Sequence, residues 1–518
     1  MFSAVSERVT VMVVKCNSLG LFGLQTYAIE VEADLSRGVG AFDIVGLPDT
    51  AVKESRDRVR AAMKNCGFDF PNSRLVLNLA PADIKKEGPL YDLPILIAVL
   101  KAMRVVNANT DDAAFIGELS LSGELRSVNG VLPMAIAARE QGLKRLFVPA
   151  PNSNEGAVVE GLEVYGASNI FELLDHLAGR SRIEPAVFLN ADTQAETGLD
   201  FSQVKGQGEA KRALEIAAAG GHNVLLIGSP GAGKSMLAKR VPTILPQMTF
   251  EETIETTKIH SIAGTLPKGS GLISTRPFRS PHHTVTRVGM VGGGTHPKPG
   301  EISLAHNGVL FLDELPEFPR SVLEVLRQPL EDGVVSISRA NGTYTYPSSF
   351  MLIAAMNPCP CGYFNHPKKQ CTCSDNAVHK YLGRVSGPLL DRIDIHIEVP
   401  PVEYDDLTAK SGEEGSASIR RRVNAARDIQ TARFKGTAIK NNADITSAMF
   451  EKVCVMDDKA NLILKRAFDK LGMTARAYDR IMKVARTVAD LDGSEVIRSS
   501  HIAEAIQYRS LDRKYWHE

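Results

Sequence analysis

The chain has 518 residues, of which 60 are basic and 60 acidic, so its formal net charge at pH 7 is zero. This balance excludes a uniformly basic nucleic-acid coat but leaves room for local basic patches. Hydrophobic residues make up 44% of the chain and charged residues 23%, as is typical of soluble globular proteins. At roughly 150 residues per domain, the length indicates about three domains.

Three further features exclude other classes of protein. The longest apolar run, residues 93–100, is far shorter than the roughly 20 residues that a membrane helix needs. The N-terminus contains Glu7 and Arg8 and has no signal-peptide pattern, so we expect a cytoplasmic protein without membrane attachment. Seven cysteines are too few for a disulfide scaffold in a chain of this length.

The chain divides into blocks of different pattern. Residues 1–180 mix strands and helices, and a polar linker, 181–199, separates them from residues 200–410, where strands and helices alternate. From 411 to 518 the pattern is wholly helical, and the small polar residues 411–418 are expected to form a hinge. Alternating strands and helices indicate a parallel α/β sheet, so the fold class is α/β multidomain. In the first block the predicted strands are 9–14, 27–33 and 73–79, and the predicted helices are 50–65 and 133–141.

The strongest signal is the phosphate-binding motif GSPGAGKS, which follows a predicted strand, 223–227, and precedes a predicted helix, 236–241. Its glycines let backbone N–H groups face phosphates, and the helix N-terminus adds positive potential. Lys234 is expected to contact the outer phosphates of ATP, and Ser235 to bind Mg²⁺. The predicted loop consists of Gly228, Ser229, Pro230, Gly231, Ala232, Gly233, Lys234 and Ser235.

Two carboxylates, Asp313 and Glu314, follow the apolar strand 309–312. Ligands of α/β sheets bind at the carboxyl ends of the strands, which is where this pair is predicted to lie. Asp313 is expected to bind the hydration shell of Mg²⁺. Glu314 is expected to orient or deprotonate the water that attacks the γ-phosphate.

A third strand, 350–356, ends at Asn357, whose amide is expected to contact the γ-phosphate or the attacking water. Together with the phosphate loop and the carboxylate pair, this arrangement resembles the AAA+ ATPase superfamily, in which Asn357 would be sensor 1. The resemblance implies an arginine finger at Arg392, which would reach the nucleotide of a neighbouring subunit. An intrachain ion pair of Arg392 with Asp391 or Asp394 is the alternative.

The helical block contains the motif MTARAYDR, 473–480, which is predicted to open a helix. Arg476 and Arg480 are four residues apart and would share a helix face. Arg476 best matches the sensor 2 arginine that the AAA+ resemblance implies, and Arg480 and Arg486 are the alternatives.

Several motifs narrow the resemblance to one family: IVGLPD, NLAPADIKKEG, RPFRSPHH, MNPCPCG and ARTVADL, at 44–49, 78–88, 276–283, 356–362 and 485–491. Together they resemble the magnesium-chelatase-like AAA+ family known as YifB or ComM. The resemblance implies a hexameric ATPase motor, and members of the family act as DNA helicases that promote branch migration during natural transformation. It therefore implies DNA as a partner.

The N-terminal block resembles the Lon-type protease domain, from GELSL at 117–121 through GVL at 130–132. The position of the protease nucleophile falls on Leu90, and the position of its general base falls on Pro133. Neither residue performs nucleophilic chemistry, so we expect a domain that is inactive as a protease.

Four of the seven cysteines lie close together in the sequence, in a C-x-C…C-x-C pattern. Four thiolates at this spacing suit a structural, tetrahedral Zn²⁺ site, although one intervening residue is tighter than the usual two to four. Free thiols without a metal are the alternative. The residues are Cys359, Cys361, Cys371 and Cys373.

Three segments are candidates for DNA contact. Residues 333–346 predict a hairpin around an Asn-Gly turn, with Arg339 near its tip. The Gly- and Pro-rich loop 291–300 contains Lys298, and residues 416–440 contain Arg420, Arg421 and Arg422. For the hairpin a purely structural role remains open, and for the basic run a solvated helix face does.

Three rival functions remain at this point. A motor that remodels a protein partner for metal insertion, as in magnesium chelatase, is opposed by the long Lon-like block, which that motor lacks. A Lon-type protease is opposed by Leu90 and Pro133. A scaffold without enzymatic activity is opposed by the complete set of ATPase motifs.

Overall fold

The computed structural model describes residues 13–189, 198–267, 269–295, 297–339, 342–405 and 412–516. These residues form two compact units. The first unit contains Met1–Asp192 and Thr253–Ile273, and the second contains Thr193–Glu252 and Ser274–Glu518. The segment 253–273 thus groups with the N-terminal residues, although the sequence pattern places it inside the block 200–410.

The first unit is built on a seven-stranded mixed sheet with the order β3-β4-β2-β1-β5-β8-β9. Strand β2 pairs antiparallel with β1 and β4, whereas the pairs β3/β4, β1/β5, β5/β8 and β8/β9 are parallel. The elements of this unit are β1 Val14–Phe22, β2 Gln25–Ser36, β3 Ala41–Val45, α1 Thr50–Asn65, β4 Arg74–Ala80, α2 Asp92–Ala102, β5 Ala113–Phe115, β6 Glu118–Leu119, β7 Leu125–Arg126, α3 Val131–Glu140, β8 Arg145–Pro149, α4 Ser153–Gly156, β9 Glu163–Ala167 and α5 Ile170–Leu177.

The longest apolar run of the sequence forms helix α2, whose residues from Asp92 to Leu100 are all buried. A helix that is apolar on every face is stable only inside a core or a membrane, and here it lies in the core. The carboxylate of Asp92 is compensated by Arg58, whose Nε donates to it over 2.8 Å. None of the helices in the described ranges has the length and apolar character that crossing a bilayer requires.

The predicted elements of this unit match the structure except at its beginning. Helix α1 has the predicted bounds, and α3 differs from the predicted helix by two residues at its start and one at its end. The predicted strand 9–14 falls mostly on residues 9–12, which lie outside the described residues, and its last residue, Val14, is the first residue of β1. Strand β1 does not show a strand pattern in the sequence because it contains the polar residues Asn17 and Ser18. Their side chains donate to the backbone carbonyls of Asp111, Ala113 and Phe115.

Leu90 and Pro133 are hydrophobic parts of this unit. Leu90 packs against the core, and Pro133 is buried in α3. The neighbouring Lys86 is buried, and its Nζ donates to the carbonyl of Ile84 over 2.8 Å and to that of Pro81. The side chains of Leu90 and Pro133 themselves carry no nucleophilic or basic group.

The second unit contains a five-stranded sheet with the order β11-β14-β17-β10-β18, and all of its pairs are parallel. Helices and two small hairpins surround it. The elements, in chain order, are α6 Gly208–Gly220, β10 Val224–Ile227, α7 Lys234–Arg240, α8 Phe250–Ala263 (of which 253–263 belong to the first unit), β11 Phe278–Arg279, α9 Arg287–Val291, β12 Gly292–Gly293, β13 Lys298–Pro299, α10 Glu301–Leu304, β14 Val309–Leu312, α11 Arg320–Glu324, α12 Arg327–Asp332, β15 Val334–Arg339, β16 Gly342–Pro347, β17 Met351–Met356, α13 Asp375–Leu382, α14 Gly387–Leu390 and β18 Ile395–Glu398.

The C-terminal part of this unit is helical, with α15 Ser416–Arg433, α16 Phe450–Val453, α17 Asp458–Leu471, α18 Ala475–Leu491, α19 Ser499–Gln507 and α20 Ser510–Trp516. The described part of the segment predicted as a hinge, residues 412–418, makes contacts with the rest of the unit. Lys211 donates to Glu413 over 2.7 Å, and the carboxylate of Asp200 accepts from the backbone N–H of Ser416. These contacts hold the segment to the rest of the unit at the point where α15 begins.

Candidate functional site

The predicted ATP-site residues meet at one edge of the five-stranded sheet. Strands β10, β17 and β14 are neighbours and run parallel, so their carboxyl ends lie side by side. The phosphate loop follows β10 and leads directly into α7, which begins at Lys234. Asp313 and Glu314 follow β14, and Asn357 follows β17.

Lys234 lies at the centre of this edge. Its buried Nζ donates to the carbonyls of Gly228 (2.7 Å) and Ser229 (3.0 Å) and to Oδ1 of Asn357 (3.1 Å). Burial lowers the pKa of its ammonium group, and the carboxylates of Asp313 and Glu314 oppose this shift. The structure thus brings the predicted phosphate-binding lysine into direct contact with the predicted sensor 1 amide.

Ser235 and Asp313 form the second contact of the site. The hydroxyl of Ser235 donates to Oδ2 of Asp313 over 2.5 Å. A hydroxyl and a carboxylate are the oxygen ligands that hold Mg²⁺ in phosphate-loop ATPases, together with water and substrate phosphates. The two residues predicted to hold Mg²⁺ are therefore adjacent, and their donor chemistry fits that ion.

Glu314 differs from its neighbours in exposure and backbone conformation. Its side chain is 57% exposed, and its φ of 54° lies in the left-handed region that non-glycine residues rarely adopt. Oε2 of Glu314 is 3.6 Å from Nδ1 of His283, whose ring lies 4.0 Å from that of His282. Sequence reasoning did not connect His283 with Glu314, since only the position of β11 beside β14 brings the two segments together.

Arg392 lies at the opposite edge of the same sheet, where the parallel strands begin. The side-chain amide of Asn223, just before β10, donates to the backbone carbonyl of Arg392 over 3.0 Å. Since β10 has four residues of about 3.3 Å each, this edge is roughly 13 Å from the phosphate loop of the same chain. The intrachain partner of Arg392 is Glu331, and not Asp391 or Asp394 as the alternative interpretation held.

The candidates for sensor 2 also lie away from the phosphate loop of their own chain. Arg476 is exposed and donates to Asp391 over 3.1 Å, and Arg480 pairs with the buried Asp394 over 2.8 Å. Arg486 is buried and pairs with Asp490 in the helical region. The structure therefore does not bring Arg476 together with Lys234 within one chain.

The four cysteines of the C-x-C…C-x-C pattern converge. Their sulfur atoms all lie within 4.8 Å of one another, with Cys359 3.4 Å from Cys361 and 3.7 Å from Cys371. In a tetrahedral site with Zn–S bonds of about 2.3 Å, sulfur atoms are about 3.8 Å apart. Burial raises the pKa of the Cys361 thiol, but hydrogen bonds from the N–H groups of Thr372 and Tyr363, together with those from Cys359 and Cys373, lower the pKa to about 5. The donor set and its spacing fit Zn²⁺.

The two hairpins that contain Arg339 and Lys298 are joined by a hydrogen bond. The hydroxyl of Tyr346 in β16 donates to the carbonyl of Pro297 over 2.7 Å. A Cβ at Gly293 would lie 3.0 Å from Nη2 of Arg339, so the guanidinium group lies against the glycine loop. The turn predicted at 340–342 falls mostly on residues 340 and 341, which lie outside the described residues.

Three exposed cations accompany these hairpins: Arg339, Lys298 and Arg287, the first residue of α9. Within the described ranges, no acidic side chain forms an ion pair with any of them. The sequence did not indicate Arg287, because its segment contains no basic run. Only the fold places it with the hairpins that contain Arg339 and Lys298.

The basic run at the start of α15 is largely engaged within the chain. Arg422 pairs with Glu215 and Glu414, and Nε of Arg420 donates to the carbonyl of Thr243 over 2.7 Å. Arg421 is exposed and has no ion pair in the part of the chain that the structure describes. The positive charge available to a ligand here is therefore smaller than the sequence suggests.

Comparisons with known proteins agree along almost the whole chain. Family models described as "Magnesium chelatase, subunit ChlI", "Subunit ChlI of Mg-chelatase" and "Magnesium chelatase, subunit ChlI C-terminal" match residues 200–407, 31–152 and 413–509. Competence protein ComM of Haemophilus influenzae is 44% identical over 498 residues, which are 95% of this chain and 96% of the relative. The uncharacterized protein YifB of Escherichia coli is 43% identical, over 96% of both chains. Lon protease of Metamycoplasma arthritidis is 26% identical over 138 residues, 25% of this chain and 16% of that protein.

Proposed function

We propose, since the chain belongs to the magnesium-chelatase-like AAA+ ATPase family of ComM and YifB, that it is an ATP-driven motor that moves on DNA. The observation that carries this proposal is the edge at which Lys234, Ser235, Asp313, Glu314 and Asn357 meet. These residues bind ATP and Mg²⁺ and position water, and the chain hydrolyses ATP at this edge.

The motor works as a ring, for which we propose six subunits. One chain holds the phosphate loop and Arg392 at opposite edges of its sheet, so its own arginine does not reach its own nucleotide. A neighbour that presents Arg392 to the phosphate loop supplies the missing positive charge. Arg476 lies at the same edge as Arg392, beside Asp391, and reaches the nucleotide in the same way.

DNA is the proposed track of this motor. A motor that follows a strand without reading bases needs positive charge and exposed loops, and the joined hairpins supply both. Arg339, Lys298 and Arg287 contact the phosphates, and ATP turnover pulls the strand. The relative ComM is named a competence protein, which supports natural transformation as the process. Strand unwinding and branch migration are the steps that we propose for the motor in this process.

The test of this function is ATP turnover measured alone and with single-stranded, duplex and branched DNA, together with displacement of a labelled strand. We expect DNA to stimulate turnover and ATP to drive displacement. DNA binding alone would not support the proposal, since a passive DNA-binding ATPase also shows it. Turnover that is indifferent to every DNA would favour the alternative function, a motor that remodels a protein partner for metal insertion, to which the match with subunit ChlI points.

Arg339→Ala is expected to reduce strand displacement more than it reduces ATP turnover, because the side chain lies on the hairpin and not at the phosphate loop. DNA affinity should fall with salt with a log–log slope of about −0.7 per single-strand phosphate contacted. The variant should therefore flatten this slope by about 0.7.

The matched control is Arg466→Ala, which removes an exposed arginine of α17 that has no ion pair among the described residues. It should leave both displacement and the salt slope at wild-type values. If Arg339→Ala and Arg466→Ala behave alike, the hairpin does not hold DNA.

The four cysteines bind one structural Zn²⁺ per chain. Four thiolates fill the tetrahedral positions, so the metal stabilises its loop and performs no chemistry. We expect elemental analysis of the purified chain to find one equivalent of zinc, and the double variant Cys371→Ser/Cys373→Ser to contain almost none. The matched control, Cys16→Ser, changes an isolated buried cysteine and should retain the metal. A folded wild-type chain without zinc would contradict the assignment.

A further inference from the structure

The cysteine loop, residues 359–373, is part of the wall of the ATP site. It follows β17 immediately after Asn357, whose Oδ1 accepts the hydrogen bond from Lys234. Cys359 is fully buried, so the loop is fixed to the protein at the end nearest Asn357. A shift of this loop therefore acts directly on the amide that contacts the phosphate-binding lysine.

A second contact joins the loop to the phosphate loop itself. Gly362 has φ of +83°, and a Cβ at this position would lie 2.4 Å from Cδ of Pro230 and 2.7 Å from its Cγ. No side chain fits between the two segments, because heavy atoms do not approach this closely without a bond. Glycine thus lets the cysteine loop lie against the loop that binds phosphate.

The sulfur atoms hold the backbone on both sides of Gly362. The N–H of Cys361 donates to Sγ of Cys373 over 3.4 Å, and the N–H of Phe364 donates to Sγ of Cys359 over 3.3 Å. Hydrogen bonds of this kind accompany metal-bound ligands and fix their orientation. A metal on the four sulfurs would therefore fix the conformation of residues 361–364, which include the contact with Pro230.

We propose that the metal bound by Cys359, Cys361, Cys371 and Cys373 controls ATP hydrolysis, by holding Gly362 against Pro230 and Asn357 against Lys234. Metal-bound chains hydrolyse ATP, and metal-free chains bind ATP but turn it over slowly. The proposal rests on the proposed function, because it assigns a regulator to the same nucleotide site. A displacement of about 1 Å at reacting groups costs up to about 10²-fold in rate, which is the size of the effect we expect.

The first experiment compares the full-length wild-type chain with Cys371→Ser/Cys373→Ser. Zinc content, binding of a fluorescent ATP analogue with Mg²⁺, and ATP turnover without DNA are measured on the same preparations. We expect the variant to lose zinc, to bind the analogue within about threefold of wild type, and to hydrolyse ATP between 10- and 100-fold more slowly, as for a displaced catalytic group. A zinc-free, folded variant with wild-type turnover would overturn the proposal.

The second experiment leaves the cysteines intact. Gly362→Ala places a methyl group against Pro230, whereas the matched control, Gly436→Ala, has nearly the same φ, +81°, with nothing within 4 Å. Both variants place alanine in a left-handed backbone conformation and incur the same strain. The difference in their turnover therefore measures the effect of the contact between residue 362 and Pro230. We expect Gly362→Ala to retain zinc and lose at least 10-fold in turnover, and Gly436→Ala to match wild type.

These outcomes separate the inference from the proposed function. Equal turnover of the two glycine variants would overturn the inference, even if the cysteine variant failed to fold. A wild-type chain without zinc would also overturn it. A wild-type chain that hydrolyses ATP under zinc control but displaces no strand would refute the DNA motor and leave the metal control standing.

Discussion

The Arg392→Ala variant is expected to hydrolyse ATP about 10³- to 10⁵-fold more slowly than the wild-type chain, the usual effect of removing an arginine finger. The physical reason is the placement of Arg392 at the edge of the sheet opposite the phosphate loop. In the proposed ring, its guanidinium group would stabilise negative charge on the transferred phosphoryl group of a neighbouring chain. ATP binding, which depends mainly on Lys234 and the loop, should persist.

Mixed assemblies provide the sharper measurement. Arg392→Ala chains have an intact phosphate loop, and Lys234→Ala chains have an intact arginine. Where the two meet in the productive order, a complete site forms, so the mixture should exceed the sum of the separate activities. A mixture that never exceeds that sum would show that Arg392 does not act across an interface.

The control for Arg392 is Glu331→Gln. In the structure Arg392 is bonded to Glu331, whose side chain is 56% exposed, and to the carbonyl of Pro388. Glu331→Gln removes this ion pair and keeps the arginine, and it should retain most of the activity. If it is as inactive as Arg392→Ala, the role of the arginine is to stabilise its own chain.

Glu314→Gln is expected to retain ATP and to lose turnover by about 10²- to 10⁴-fold, the typical contribution of a general base. Glutamine has the same shape as glutamate, but its amide does not accept a proton from water. Lys234→Ala should instead lose nucleotide binding itself, because it removes the positive charge at the centre of the site. Binding of labelled ATP and release of phosphate, measured on both variants, separate the two effects.

Glu317→Gln is the matched control for Glu314. It removes a carboxylate from the same segment, one that pairs with Arg384 over 2.9 Å at the surface. Its turnover should equal that of wild type. Equal hydrolysis by wild type and Glu314→Gln would exclude Glu314 from water activation and direct attention to another group at this edge.

Much of this edge could be predicted because each part has a local signature. The apolar strands β10, β14 and β17 are contiguous runs, and the polar residues that follow them are adjacent in sequence to the strand ends. Once the strands are parallel neighbours, the contacts of Lys234 with Asn357 and of Ser235 with Asp313 follow from the topology alone.

The features that were missed depend on packing between segments distant in sequence. The approach of His283 to Glu314 requires β11 to lie beside β14, and the contact of Gly362 with Pro230 requires a particular loop conformation. The sequence overstated the positive charge of the basic run in α15, because two glutamates outside the run neutralise Arg422. Glu215 is distant in sequence, and Glu414 lies just before the run. No periodicity in a single segment reports such pairings.

The grouping of Thr253–Ile273 with the N-terminal unit bears on how the protein is made and divided. In that unit Ser261 donates to Glu155, and the side-chain amide of Asn154 donates to the carbonyl of Gly269 over 2.9 Å. During synthesis, the N-terminal unit lacks these partners until the ribosome has added residue 273, which is after the phosphate loop has been synthesised. A fragment that stops at residue 192 would likewise lack the segment that covers some of its apolar and polar groups. Cutting the chain there therefore reproduces neither of the two compact units.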